Sequence, residues 1–258
     1  MNAVLQQPPV QAAIFRSAMY EVLSLALAYP TPSLRGRLDD AIADLLELPE
    51  VVTAGYAEDL ARMRDALAAS EMVTLAAEHN HLFEHSAVSS PYETEYEPDP
   101  FAKARQLADI AGFYTAFGMS ISTMRPTLQD FLGTELEFMS YLARKEAYAA
   151  ARNWKHRRQL TVDAERSFLH DHLGRWEKAV CKDVTEHTAV EAGTNSAAPF
   201  FGAVASLCVQ FVEDELRRFG TKPLRLIQRM VGNDEPVACP FATAADEDEL
   251  EPLDPIED

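Results

Sequence analysis

Apolar positions recur along most of this chain at the 3.6-residue spacing of helices that bury one face. Ile14, Ala18, Met19, Val22, Leu23 and Ala26 share a stripe, which predicts a first helix running to about Tyr29, where Pro30 and Pro32 end it. A second helix fits 34–48, up to Pro49, and two more fit 54–69 and 71–86. Asp99 or Pro100 opens the next, which runs to Phe117 with Gly118 as its C-terminal cap. Leu128, Phe131, Leu132, Leu136, Met139, Leu142 and Ala143 predict a long helix over 127–152. Helices over 158–181 and 200–219 follow, the former with Phe168, Leu169, Leu173 and Trp176 inward, and a short helix fits 223–231. The chain carries neither the alternation of strands nor a repeat of fixed period. The expected fold is all-α: a single-domain multi-helix bundle over 11–231, a flexible arm over 1–10 and an acidic, mobile tail over 232–258.

Residues 86–100 break the helical pattern. They read Ser-Ala-Val-Ser-Ser-Pro-Tyr-Glu-Thr-Glu-Tyr-Glu-Pro-Asp-Pro, a long proline-punctuated loop of the kind that carries function in a compact domain. Pro91, Tyr92, Glu93 and Tyr96 combine stiffness, aromatic area and negative charge. That set suits an extended cationic peptide: aromatic faces attract guanidinium, and carboxylates accept its paired hydrogen bonds. A surface loop pinned to the core by its tyrosines explains the same residues.

Charge narrows the partners. The net charge is −18, and ten acidic residues with no Lys or Arg lie between Asp234 and Asp258, leaving −8 on the rest. A chain this acidic repels phosphate backbones, so no nucleic acid is expected, and cationic partners are favoured. Cys181, Cys208 and Cys239 are widely separated, as reduced cytoplasmic thiols are, and lack metal-site spacing. The first basic residue is Arg16, and Ala18–Tyr29 contains Glu21 and is too short to span a bilayer. A cytoplasmic location without stable membrane insertion is expected.

Candidate chemistry is sparse. His79, His81 and His85 could serve a metal-dependent helical enzyme, since 81 and 85 share a face, although a partly exposed polar helix face accounts for all three. Glu135 and Glu137 lie about 200° apart on a helix and cannot share a site. Glu135 falls near the apolar stripe, so burial would require a partner for it. Arg152, Lys155, His156, Arg157 and Arg158 form a basic knot between helices, readable as an anion site or as a solvated turn. Phosphate-binding glycine loops, dinucleotide fingerprints and nucleophile elbows are absent from the sequence, which points to a binding module with no catalytic residues and no metal.

Four segments resemble the TorD/DmsD/NarJ family of molybdoenzyme-specific chaperones. Glu78-His79-Asn80-His81-Leu82-Phe83 is similar to its E-[YF]-x-x-L-F motif, and Ser90-Pro91-Tyr92-Glu93-Thr94-Glu95-Tyr96 to its P-x-E-S-x-Y loop. Residues 130–142, from Asp130 through Glu135, Phe138 and Met139 to Leu142, resemble its D-H-[LI]-x-x-E-L-x-F-M-x-x-L helix, and 168–176 its F-x-x-x-H-L-x-x-W segment. Phe131 stands where the family has His, His79 stands where it has Tyr or Phe, and an insertion separates Arg125-Pro126 from Asp130. Cys239-Pro240-Phe241-Ala242 resembles the branch serving type II enzymes of the DMSO reductase superfamily. The resemblance implies a TorD-like all-helical fold and binding of a twin-arginine signal peptide, or the enzyme's N-terminus, on a molybdenum oxidoreductase catalytic subunit. It implies further that the client carries molybdopterin guanine dinucleotide and that the chaperone holds no cofactor permanently. The expected client-binding residues are Pro91, Tyr92, Glu93, Tyr96, Asp130, Glu135, Phe138 and Met139.

Overall fold

The computed structural model describes residues 7–84, 88–97, 99–120, 128–191, 193 and 197–224. The expected short helix at 223–231, the tail and the Cys239 element fall outside these residues beyond Leu224. The fold is all-α, with no strand among the described residues. Its helices are α1 (Pro8–Leu27), α2 (Pro32–Leu46), α3 (Pro49–Ala54), α4 (Ala57–Ala69), α5 (Met72–Phe83), α6 (Pro100–Phe117), α7 (Leu132–Ala151), α8 (Lys155–Phe168), α9 (Gly174–Glu191) and α10 (Ala198–Phe219). A 3₁₀ turn (Glu93–Tyr96) and a π-helical turn (Leu169–Leu173) complete the set.

Boundaries differ from the sequence pattern where local chemistry overrides it. Pro8 supplies the fixed φ of a first helical turn, so α1 starts inside the expected arm and buries Val10. The helix expected over 54–69 breaks at Gly55, whose φ of 83° is left-handed. The long helix begins at Leu132 rather than 127, because the Asp130 carbonyl and the Leu132 amide bond to the 88–97 loop instead; Leu128 is exposed rather than on the stripe. The helix expected to end at 181 continues to Glu191.

α1 packs on α7, α7 on α8, α9 on α10, and α4 on α10. Small residues let α1 and α7 approach: Ser17 Oγ donates to the Ser140 carbonyl at 3.0 Å, and Ser140 Oγ donates back to that of Ser17 at 2.9 Å. α1 is long and apolar enough to cross a membrane, but most of it is buried inside this bundle. It also carries Arg16, 2% exposed, into the core. There Nη1 meets Glu146 of α7 at 2.8 Å, Nε meets Glu215 of α10 at 2.5 Å, and Nη2 meets Glu165 of α8. Arg158 reaches the other oxygen of Glu146 at 2.9 Å, and Tyr20 donates to Glu215 at 3.2 Å. One guanidinium thereby ties four helices together.

Gly174 closes the π-helical turn, its amide donating to the Leu169 carbonyl. A Cβ on Gly174 would lie 2.6 Å from the Leu169 carbonyl oxygen, too close for any real side chain. Gly174→Ala is therefore expected to destabilise the fold by roughly 1–3 kcal/mol, measured as a lower urea midpoint.

Candidate functional site

The 88–97 loop is held in place by backbone and carboxylate bonds. The Leu132 amide donates to the Pro91 carbonyl and the Glu93 amide to that of Asp130, both at 2.9 Å, and Tyr92 and Phe131 form an isolated antiparallel bridge. Asp130 Oδ2 accepts from Thr94 Oγ1 at 2.6 Å and from the Thr94 amide at 3.1 Å. Tyr96 donates to the Ser90 carbonyl at 2.9 Å and packs its ring 5.6 Å from that of Trp176. Ser89 bonds the Tyr96 hydroxyl and Asp183 of α9.

Glu93, fully buried, is the hub. Gln106 of α6 donates to it at 2.5 Å, and His172 Nδ1 lies 3.1 Å away. His172 Nε2 lies 3.2 Å from Asp109 of α6, so the π-helical turn sets this imidazole between two carboxylates. Arg175 Nη1 approaches Glu93 at 3.8 Å and donates to the Asp171 carbonyl at 3.0 Å. Behind the hub, Glu135 accepts from Trp176 Nε1 at 3.2 Å. Burial first, then the charge of Glu93, pushes the Glu135 carboxyl well above its usual range.

Beside this network lies an open cleft of about 650 Å³ between α6, the π-helical turn and the start of α9. Glu97, Asp109 and Asp171 line it, with Arg105 and the inward-turned Arg175 among the remaining walls. Leu224, whose amide donates to the His170 carbonyl at 2.9 Å, closes one side. Gln106 Oε1 and Arg175 Nε, both lining residues, are buried with no hydrogen-bond partner among the described residues.

Residues 50–182, just over half of the chain, match the nitrate reductase delta subunit family. The chain belongs to that family. Its members are NarJ/TorD-type chaperones, so this protein is a molybdoenzyme assembly chaperone and not an enzyme. It is also 24% identical over 216 residues to a perchlorate reductase assembly chaperone protein of Dechloromonas aromatica (strain RCB), spanning 80% of this chain and 91% of the relative. The span matched to the delta subunit family contains the loop, α7 and the π-helical turn.

Of the eight expected client-binding residues, Tyr92 alone is part-exposed, with its ring 5.9 Å from that of Phe131. Pro91, Glu93, Tyr96, Asp130 and Glu135 are brought together but buried, so they shape the loop from beneath. Phe138 and Met139 are in the core, Phe138 among Phe113, Tyr114, Phe117 and Phe168. Glu137 is exposed, as its helical angle predicts. His79 corrects the polar-face reading of the histidines: it is buried, with Nε2 3.1 Å from the Leu27 carbonyl oxygen and rings around it, and His85 lies outside the described residues. No group of three metal-ligating side chains occurs among the described residues. His172, Asp109 and Gln106 were missed as site residues. The signal for His172 was present in the Phe168-x-x-x-His172-Leu173 spacing, but periodicity could not say which α6 residues would meet it.

Proposed function

We propose that this chaperone works in the cytoplasm, binding the twin-arginine leader or N-terminus of a molybdenum oxidoreductase catalytic subunit and delaying its export until molybdopterin guanine dinucleotide is inserted. The acid-lined cleft beside the pinned loop is the observation that carries the binding mode. Asp109, Asp171 and Glu97 offer carboxylates to guanidinium groups. The buried residues at 91–96 and 130–139 form the rigid frame that holds this surface.

Calorimetry with the client's leader peptide tests this reading. Asp109→Asn with Asp171→Asn is expected to weaken binding by about 10-fold or more, since hydrogen bonds to charged groups contribute about 1.5–3 kcal/mol each. A leader with both arginines changed to lysine is expected to bind more weakly than the native one, because lysine cannot make the paired contact. Equal affinity of the double variant and the unmodified chaperone would rule the cleft out.

A further inference from the structure

The basic knot is not absorbed by the client-binding reading. Arg152, Lys155, His156 and Arg157 are all exposed at the α7–α8 turn, which is held by Asn153 with a left-handed φ of 54°. Arg158 alone is committed, to the buried Glu146. The first turn of α8 contains no acidic residue, so these cations sit at a helix end that is already positive. Aromatic faces interleave with them: the Tyr148 and Trp154 rings lie 5.6 Å apart, Arg157 stacks 4.4 Å over Trp154, and Arg152 lies 5.0 Å over Tyr148. Leu160 adds exposed apolar surface nearby. The result is a sticky cationic platform on a chain of net charge −18.

We propose that this platform docks the chain's own acidic tail, with Asp246, Glu247, Asp248, Glu249 and Glu251 set against Arg152, Lys155 and Arg157. Charge complementarity selects the occupant, for the tail from Asp234 onward carries ten acids and no Lys or Arg. Reach permits it. Leu224 is bonded beside the C-terminal end of α8, and a helix of 14 residues places its first turn about 20 Å away. Asp246 follows Leu224 by 22 residues, and that many residues reach at most about 75 Å when fully extended. Tethering gives the tail an effective concentration of about millimolar, whereas free anionic surfaces are repelled by the molecule as a whole. The docked tail neutralises the platform and covers Trp154.

Trp154 is itself the reporter, because the second tryptophan, Trp176, is fully buried. Acrylamide quenching of the full chain is compared with a full-length variant carrying Asp246→Asn, Glu247→Gln, Asp248→Asn, Glu249→Gln and Glu251→Gln. A Trp154→Phe protein supplies the Trp176 background. Trp154 is expected to be protected in the unmodified chain at low salt. That protection is lost in the tail variant, in R152E/R157E, and at about 1 M salt, where the screening length falls to about 3 Å. Equal quenching of the unmodified and tail-neutralised chains would overturn the proposal. Protection that grows with protein concentration would place the tail on a second copy instead. Protection that appears only with anionic lipid vesicles would assign the platform to a membrane. Either result overturns intramolecular docking.

Discussion

Replacing Arg16 with alanine is expected to lower the unfolding free energy by about 3–5 kcal/mol, a large share of the roughly 5–15 kcal/mol that a domain has to spare. The guanidinium hydrogen-bonds Glu146, Glu165 and Glu215 from three other helices, at a position 2% exposed. Removing it strands three carboxylates beside one another, with Arg158 on Glu146 and the Tyr20 hydroxyl on Glu215 as what remains among the described residues. Arg16→Lys is expected to fail almost as badly, because an ammonium cannot present three donors to three separated acceptors in a planar fork. Arg16→Met combined with Glu165→Leu and Glu215→Leu is expected to recover much of the loss, since well-packed apolar side chains often match a buried ion cluster in stability. Urea denaturation followed by far-UV circular dichroism measures all three. An Arg16→Ala protein as stable as its parent would show that the cluster contributes nothing.

Arg16 also marks where the sequence stopped being readable. The helices were legible because each has a buried stripe: Leu132, Leu136, Met139 and Leu142 are at most 1% exposed, as their spacing predicts. Local periodicity says nothing about which charged residue is carried inward, since Arg16 looks like any solvated position until α7, α8 and α10 converge on it. Glu135 is the contrasting case. Its angle beside the apolar stripe predicts burial and hence a partner, and Trp176 Nε1 is that partner. The loop divides the same way. Of its two readings, a peptide-binding surface and a loop pinned by its tyrosines, the second is visible in Tyr96, which bonds the Ser90 carbonyl and packs on Trp176. The inward direction of Glu93 depends on Gln106 and His172, whose contacts cross 13 and 79 residues of sequence.

The second large effect is on pH. Burial pushes the carboxyl of Glu177 up to about 8 and that of Glu165 up to about 7, from a usual 4.5. Glu135 moves in the same direction. A carboxyl whose folded value is raised binds its proton more tightly in the native state. Its stabilisation is therefore complete below 4.5 and is lost as pH rises through the folded value. Stability is expected to fall between about pH 5 and pH 8, each group contributing up to about 1.4 kcal/mol per pH unit across its own window. His79 opposes this. Burial lowers its value below 6.5, so its contribution is present above 6.5 and fades as pH drops. One histidine against three carboxyls leaves the acid side favoured. Glu177 isolates the effect because its Oε2 has no hydrogen-bond partner among the described residues, so an amide can replace the carboxyl there. Glu177→Gln is expected to match its parent near pH 5 and to melt at a higher temperature near pH 8, where the parent carries a buried charge. Parallel melting curves for the two proteins across that range would show that Glu177 is ionised at no cost and that the pH dependence lies elsewhere.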